Sequence, residues 1–126
     1  MILHLPLFVW VTKKKKLTLN LNIYRNTHYL ILNNAKIAFK EKMAKQIKPL
    51  PVYEKVGLIY TCFPKTRMKF DVANVCSIQD KFFSDALVEF GKLPDDNMKH
   101  LPQVGFQFGS VDKTNPRVEV EIIPLL

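Results

Sequence analysis

The chain has 126 residues, with 19 Lys and Arg against 11 Asp and Glu, a formal net charge of +8 and a pI near 9.6. That length suits one folded domain over residues 1–126, and 48% hydrophobic with 24% charged residues argues against a disordered chain. The apolar opening MILHLPLFVWV is about half the roughly 20 residues a membrane span needs, and it lacks the basic start and cleavage site of a signal peptide.

In chain order, residues 2–11 alternate weakly and end in the β-rich run Val9-Trp10-Val11-Thr12, which predicts a strand. The charge block Lys13 to Lys16 follows, then a short extended stretch around Leu17 to Leu21. Asn33 or Asn34 is the expected cap of a helix that runs to about Lys48, where Pro49 and Pro51 stop it. Its apolar stripe is Ala35, Phe39, Met43 and Ile47, four residues apart, with lysines on the other faces. Lys55 to Phe63 is apolar on both faces of an alternating strand, the pattern of a central position. A second helix is expected from about Asn74 to Phe90, with Val75, Ile78, Phe82, Ala86 and Phe90 inward and Gly91 as its stop. Val104-Phe106-Phe108 and Val118-Val120-Ile122, joined by Asp112 to Pro116, read as an antiparallel hairpin. The expected fold is a small single-domain α+β structure, a mixed β-sheet packed by two main helices.

Cys62 and Cys76 sit in apolar neighbourhoods and are expected as reduced core residues of a cytoplasmic protein. His4, His28 and His100 have no metal-ligand spacing.

Charge is unevenly shared. Residues 1–70 hold fourteen Lys/Arg and two acids, a balance of +12; residues 71–126 hold five Lys/Arg and nine acids, a balance of −4. This is the pattern of a polyanion-binding surface beside a separate group of carboxylates. Lys13, Lys14, Lys15, Lys16, Arg25, Lys65, Arg67 and Lys69 are the phosphate-binding candidates, and Tyr24, Tyr29 and Phe70 are aromatics that suit base stacking. Asp71 precedes the second helix and Asp95-Asp96 follow it. Loop aspartates of this kind suit a hard cation such as Mg²⁺, and they equally suit helix ends and turns.

The segment KFDVANVCSIQDKFFSDALVEFGKLPDDN, Lys69 to Asn97, resembles the core of the RusA-type Holliday-junction resolvases, small endodeoxyribonucleases mostly encoded by phages and prophages. Asp71 and Asn74 match the first Asp and the Asn of the family's D-x-D-N box. Lys81 and Asp85 match its helical Lys and Asp, Gly91 its Gly, and Asp95-Asp96 its acidic pair. LNIYRNTHY and the helix after it resemble the family more loosely. There are two departures: a helix about one turn longer between Asn74 and Lys81, and Ala73 in place of the second box Asp.

The resemblance implies an Mg²⁺-dependent (or Mn²⁺-dependent) homodimer that cuts four-way junctions and other branched DNA in recombination, repair or phage DNA processing. No small-molecule cofactor and no membrane partner are expected. By the same resemblance Asp71 and Asp96 would be catalytic metal ligands with Asp95 or Asp85 as a substitute, Lys81 would support phosphate charge, and Asp85 would also be a motif position. The alternative is a non-catalytic branched-DNA-binding or regulatory protein on the same scaffold, because Ala73 removes a carboxylate. Helix length adds a geometric expectation: Val75 to Phe90 spans roughly 24 Å and the steps to Asp96 return at most about 18 Å. Asp71 and Asp96 of one chain are then not expected to share a metal, whereas two antiparallel copies would bring them together.

Overall fold

The computed structural model describes residues 1–67 and 70–126. In chain order the elements are β1 (Ile2–Leu5), β2 (Phe8–Trp10), β3 (Lys16–Thr18), α1 (Leu21–Arg25), α2 (Tyr29–Ile47), β4 (Val56–Phe63), α3 (Val72–Glu89), β5 (Gln103–Phe108) and β6 (Arg117–Pro124). A four-stranded mixed sheet has the order β1-β6-β4-β5, and β2 with β3 forms a separate two-stranded sheet. The α+β class and the mixed sheet packed by two main helices agree with the sequence reading.

The expected first strand is two strands in two sheets. Leu5 and Leu3 pair with β6, and the chain then turns at Pro6-Leu7, so that Val9 pairs with Leu17 instead. Pro6 has no N–H to continue the ladder, which makes it the natural break.

Helix α2 starts earlier than expected. His28 is its N-cap, with Nδ1 accepting a hydrogen bond from the Leu30 N–H at 3.2 Å, and Asn33 and Asn34 are exposed inside the helix. Its buried stripe is the predicted one: Ala35, Phe39, Met43 and Ile47 are fully covered. The short helix α1, capped by Asn20 Oδ1 on the Ile23 N–H at 2.9 Å, lies in the stretch that sequence alone left without an element.

Strand β4 is internal, as its two apolar faces require. The expected β5–β6 hairpin is not formed. β5 runs parallel to one edge of β4, with Tyr60 opposite Phe106, and β6 runs antiparallel along the other edge, with Tyr60 opposite Val120. Alternation specifies a strand and its buried face but not its partner, and both edges of an apolar central strand need one. The connecting loop crosses the end of β4: the Gly109 N–H donates to the Cys62 carbonyl at 2.9 Å, and the Asp112 N–H to the Pro64 carbonyl at 2.8 Å. Gly109 is required there, because an added Cβ would overlap the Phe63 ring.

Helix α3 begins at Val72, two residues before the expected cap, with Asp71 as N-cap. Phe70 meets Phe108 edge-on at 5.2 Å, so this aromatic packs against β5. Gly91, at φ 73°, ends the helix as expected. α3 is covered on two sides: Phe83 stands edge-on to Tyr60 of β4 at 6.4 Å, and Phe82 to Phe39 of α2 at 5.6 Å. Double coverage explains why Gln79 and Ser84 are buried with the apolar residues of this helix. Cys62 and Cys76 are free and buried in the same core; burial pushes both thiols up, Cys76 to about 12, so both are unreactive. Among the described residues, no helix is long and apolar enough to cross a membrane.

Candidate functional site

Four of the five aspartates of the family-like segment fall into two separate clefts on α3. At its N-terminus Asp71 is exposed and lines a cleft of about 400 Å³ with Arg25, Asn22, Phe70, Ala73 and Asn74. Its side chain makes no capping bond to the helix. Midway along the helix a second cleft, of about 200 Å³, is lined by Asp80, Lys81, Ser84 and Asp85, with Asp96 from the following loop and Tyr24 and Lys36 from α1 and α2. Asp71 and Asp80 are nine residues apart, about 13.5 Å along the axis. Asp71 and Asp96 of one chain thus line different clefts, as the helix length led us to expect.

Helical spacing builds the second cleft. Asp80 with Ser84, and Lys81 with Asp85, are adjacent i, i+4 rows, so all four side chains project toward one side. Tyr60, fully buried on β4, donates its O–H to Asp80 Oδ1 at 2.8 Å and fixes that carboxylate from below. The Ser84 hydroxyl is engaged by the helix backbone, donating to the Asp80 carbonyl at 2.6 Å. Lys36 lies 3.8 Å from Asp85, with both side chains partly exposed. Lys81 is exposed, and its ammonium sits 5.7 Å from the Tyr24 ring centroid. Tyr24 itself packs edge-on against Phe82 at 6.5 Å, so one face of its ring serves the core.

Electrostatics distinguish this cleft from its surroundings. Burial pushes the Asp80 carboxyl above its ordinary value; the charges of Asp96 and Asp85 act in the same direction, opposed by the Tyr60 hydrogen bond and the Lys81 charge. Asp96 is also pushed up, first by partial desolvation, then by a hydrogen bond shared with Asp95 and by the charges of Asp85 and Asp95. Carboxylates raised by partial burial and by neighbouring negative charge are the environment that a divalent cation relieves.

Asp95 is used by its own loop. Its Oδ1 accepts from the Asp96 N–H at 2.8 Å and its Oδ2 from Asn97 Nδ2 at 3.2 Å, and it does not line the cleft. Among the described residues, no three His, Cys, Asp or Glu side chains converge as a ready-made metal cage. The donor set of Asp80, Asp85 and Asp96 nevertheless has the hard-oxygen chemistry of Mg²⁺, which binds through one or two carboxylates and keeps several waters.

The basic candidates spread widely. Lys13 to Lys16 form the exposed tip of the β2–β3 hairpin, Arg25 borders the Asp71 cleft, and Lys65 and Arg67 are exposed after β4. Lys69 lies outside the described residues. Asp80, Lys36 and Ser84 were missed from sequence; the one available signal was the pair of adjacent i, i+4 rows, which lay within a stretch otherwise read as core helix.

The histidines have structural surroundings. His28 caps α2, His4 Nδ1 lies 3.7 Å from Glu119, and His100 Nδ1 lies 2.7 Å from the Glu54 carbonyl. Compared with protein-family models and with curated proteins, the chain matches no family model and no curated protein.

Proposed function

We propose that the chain is a divalent-metal-dependent endodeoxyribonuclease that cuts branched DNA, four-way junctions included, as a homodimer in recombination, repair or phage DNA processing. The observation that carries this reading is the cleft lined by Asp80, Asp85 and Asp96 together with Lys36 and Lys81. The resemblance of residues 69–97 to the RusA-type resolvases supports it, as does the +12 charge of the N-terminal half.

Hydrolysis adds a water oxygen to phosphorus and breaks one P–O ester bond, leaving a phosphate monoester and a free hydroxyl. Asp80 and Asp85 would hold a Mg²⁺ ion, which would lower the pKa of its water and offset charge building on the scissile phosphate. Asp96, exposed at the edge of the cleft, would take the proton of the attacking water. Asp80, held by the Tyr60 hydroxyl, keeps its carboxylate in one orientation. Lys81 offsets the negative charge that develops on the phosphoryl oxygens. The exposed lysines and arginines of the N-terminal half hold the flanking phosphates.

A second reading, a non-catalytic branched-DNA-binding protein, is favoured by Ala73, which stands where the resemblance expects a carboxylate. One experiment separates the two. The protein is incubated with labelled four-way, Y-shaped and linear duplex DNA, with Mg²⁺, Mn²⁺ or EDTA, beside Asp96→Asn. Metal-dependent paired nicks lost in Asp96→Asn support the enzyme. Tight junction binding with no cleavage in either metal supports the binder. Equal affinity for all three substrates without cleavage removes both.

A further inference from the structure

The β2–β3 hairpin bears an arrangement that the acidic cleft does not use. Its register pairs Phe8 with Thr18, Val9 with Leu17 and Trp10 with Lys16. Strand alternation sends Val9 and Leu17 into the core, where they are 1% and 6% exposed, and turns Phe8, Trp10, Lys16 and Thr18 to the opposite face. Trp10, the chain's only tryptophan, is 53% exposed there. Phe8 stands edge-on to it at 6.1 Å and 86°, which braces the indole.

Cations surround this aromatic pair. The Lys16 ammonium lies 4.6 Å and the Lys42 ammonium 5.7 Å from the Phe8 ring centroid, and Lys13 to Lys15 form the tip beyond Trp10. The tip is tied down. The Val11 N–H donates to the Lys15 carbonyl at 2.9 Å, and Thr12 Oγ1 accepts from the Lys14 and Lys15 N–H groups at 3.2 and 3.0 Å. None of Lys13 to Lys16 has a carboxylate within ion-pair distance among the described residues, so their charge faces outward uncompensated.

We propose that the outward face of the β2–β3 hairpin is a stacking site for an unpaired nucleobase, with Trp10 as the platform and Lys13 to Lys16 with Lys42 as contacts to the flanking phosphates. A flat aromatic face beside several lysines is what single-stranded nucleic acid requires, since every base has a π-face and every linkage a negative charge. A lipid surface would want more apolar area than one indole braced by a half-buried Phe8, since Val9 and Leu17 face the core. The site goes beyond the nuclease reading and stands without it, because it needs no chemistry at Asp80, Asp85 or Asp96.

Because Trp10 is the only tryptophan, its emission is a direct probe. The intact protein is titrated at low salt with an oligothymidylate of about 15 nucleotides, with a blunt duplex of the same length, and with phosphatidylglycerol vesicles. Stacking quenches the emission by about half or more with the single strand and much less with the duplex, without a blue shift. By fluorescence anisotropy of labelled oligonucleotide, Trp10→Ala binds about ten-fold more weakly and Trp10→Phe retains most of the affinity. The triple variant Lys13→Ala, Lys14→Ala, Lys15→Ala lowers the slope of log affinity against log salt by about 2. Far-UV circular dichroism shows that each variant is folded.

Four results would overturn the proposal: equal quenching by duplex, oligonucleotide binding without quenching, wild-type affinity in Trp10→Ala, or a blue-shifted enhancement with vesicles and no response to DNA. Asp96→Asn leaves the quenching unchanged. A wild-type protein that quenches but never cleaves therefore sinks the nuclease reading and leaves the stacking site standing.

Discussion

The two clefts of α3 hold aspartates from one stretch of sequence in opposite circumstances. Asp71 is alone among carboxylates, exposed beside Arg25, on backbone whose side chain does not even cap its own helix. Asp80, about 13.5 Å further along the axis, is partly buried, held by a tyrosine from the central strand and crowded by Asp85 and Asp96. A motif read along the chain treats these residues as one set; the helix distributes them over two sites. Only the second combines several negative charges, incomplete solvation and nearby lysines, the conditions under which metal binding and acid–base chemistry repay their cost.

The most severe way to break this contrast is to neutralise one carboxylate in each cleft. Asp96→Asn is expected to lower metal-dependent cleavage of a four-way junction by about 100-fold or more, while Asp71→Asn changes it by a few-fold at most. Initial rates of nicking under excess junction test the pair. Equal large losses would mean that the two clefts work together, as they would if a second copy brought its Asp71 to Asp96. Next in size, Lys81→Met is expected to lower the rate by about 10- to 100-fold, with little change in the metal concentration needed for half-maximal activity. A parallel rise in that metal requirement would instead make Lys81 a partner of the carboxylates, not of the phosphate.

Asp80 gives a smaller effect, read in stability. Its folded pKa is raised, chiefly by burial, so between its ordinary value and its folded value the native state binds more protons than the unfolded chain. Stability therefore falls as pH climbs through that window, and the ionised carboxylate destabilises the fold at neutral pH. Asp80→Asn keeps an oxygen for the Tyr60 O–H and removes the charge. It is expected to melt a few degrees above wild type at pH 7, with the gap closing as pH falls below the ordinary carboxylate range, while cleavage is lost. Thermal scans by circular dichroism from pH 3 to pH 8 measure both parts. A variant less stable than wild type at pH 7 would show that the charge is compensated in place.

How much of this was legible in the sequence follows from what each signal encodes. Apolar residues four apart marked the buried face of α2, and alternation on both faces marked β4 as internal, because side-chain direction depends only on local backbone geometry. Gly91 was legible as a stop because few residues adopt its positive φ. The partners of β5 and β6 were not, since pairing is decided by which strand edges remain free once the sheet forms. The acidic cleft was half legible. Lys81, Asp85 and Asp96 stood in a recognisable pattern, but Asp80 gained its importance from Tyr60, twenty residues away in a different element, and Lys36 from the packing of α2 beside α3. Trp10 was visible only as a strand residue, because exposure is a property of the folded surface.

Ala73 gives the finest test of the contrast. Read as a motif position, it is a missing metal ligand, and Ala73→Asp would be expected to restore activity. In the fold it is exposed in the first turn of α3, in the Asp71 cleft, two residues past the N-cap. A carboxylate there faces the positive end of the helix dipole, where a negative side chain contributes about 0.3–1 kcal/mol at low ionic strength. Ala73→Asp is therefore expected to stabilise the protein by that small amount, an effect that added salt screens, and to leave the cleavage rate within about two-fold. Urea denaturation at low and high salt, beside nicking assays of the same preparation, gives both readings. A substantially faster Ala73→Asp enzyme would move the chemistry back to the Asp71 cleft. An unchanged rate with a salt-sensitive gain in stability assigns position 73 to the end of a helix, and leaves the cleft of Asp80, Asp85 and Asp96 as the place where the charges of this half of the chain act together.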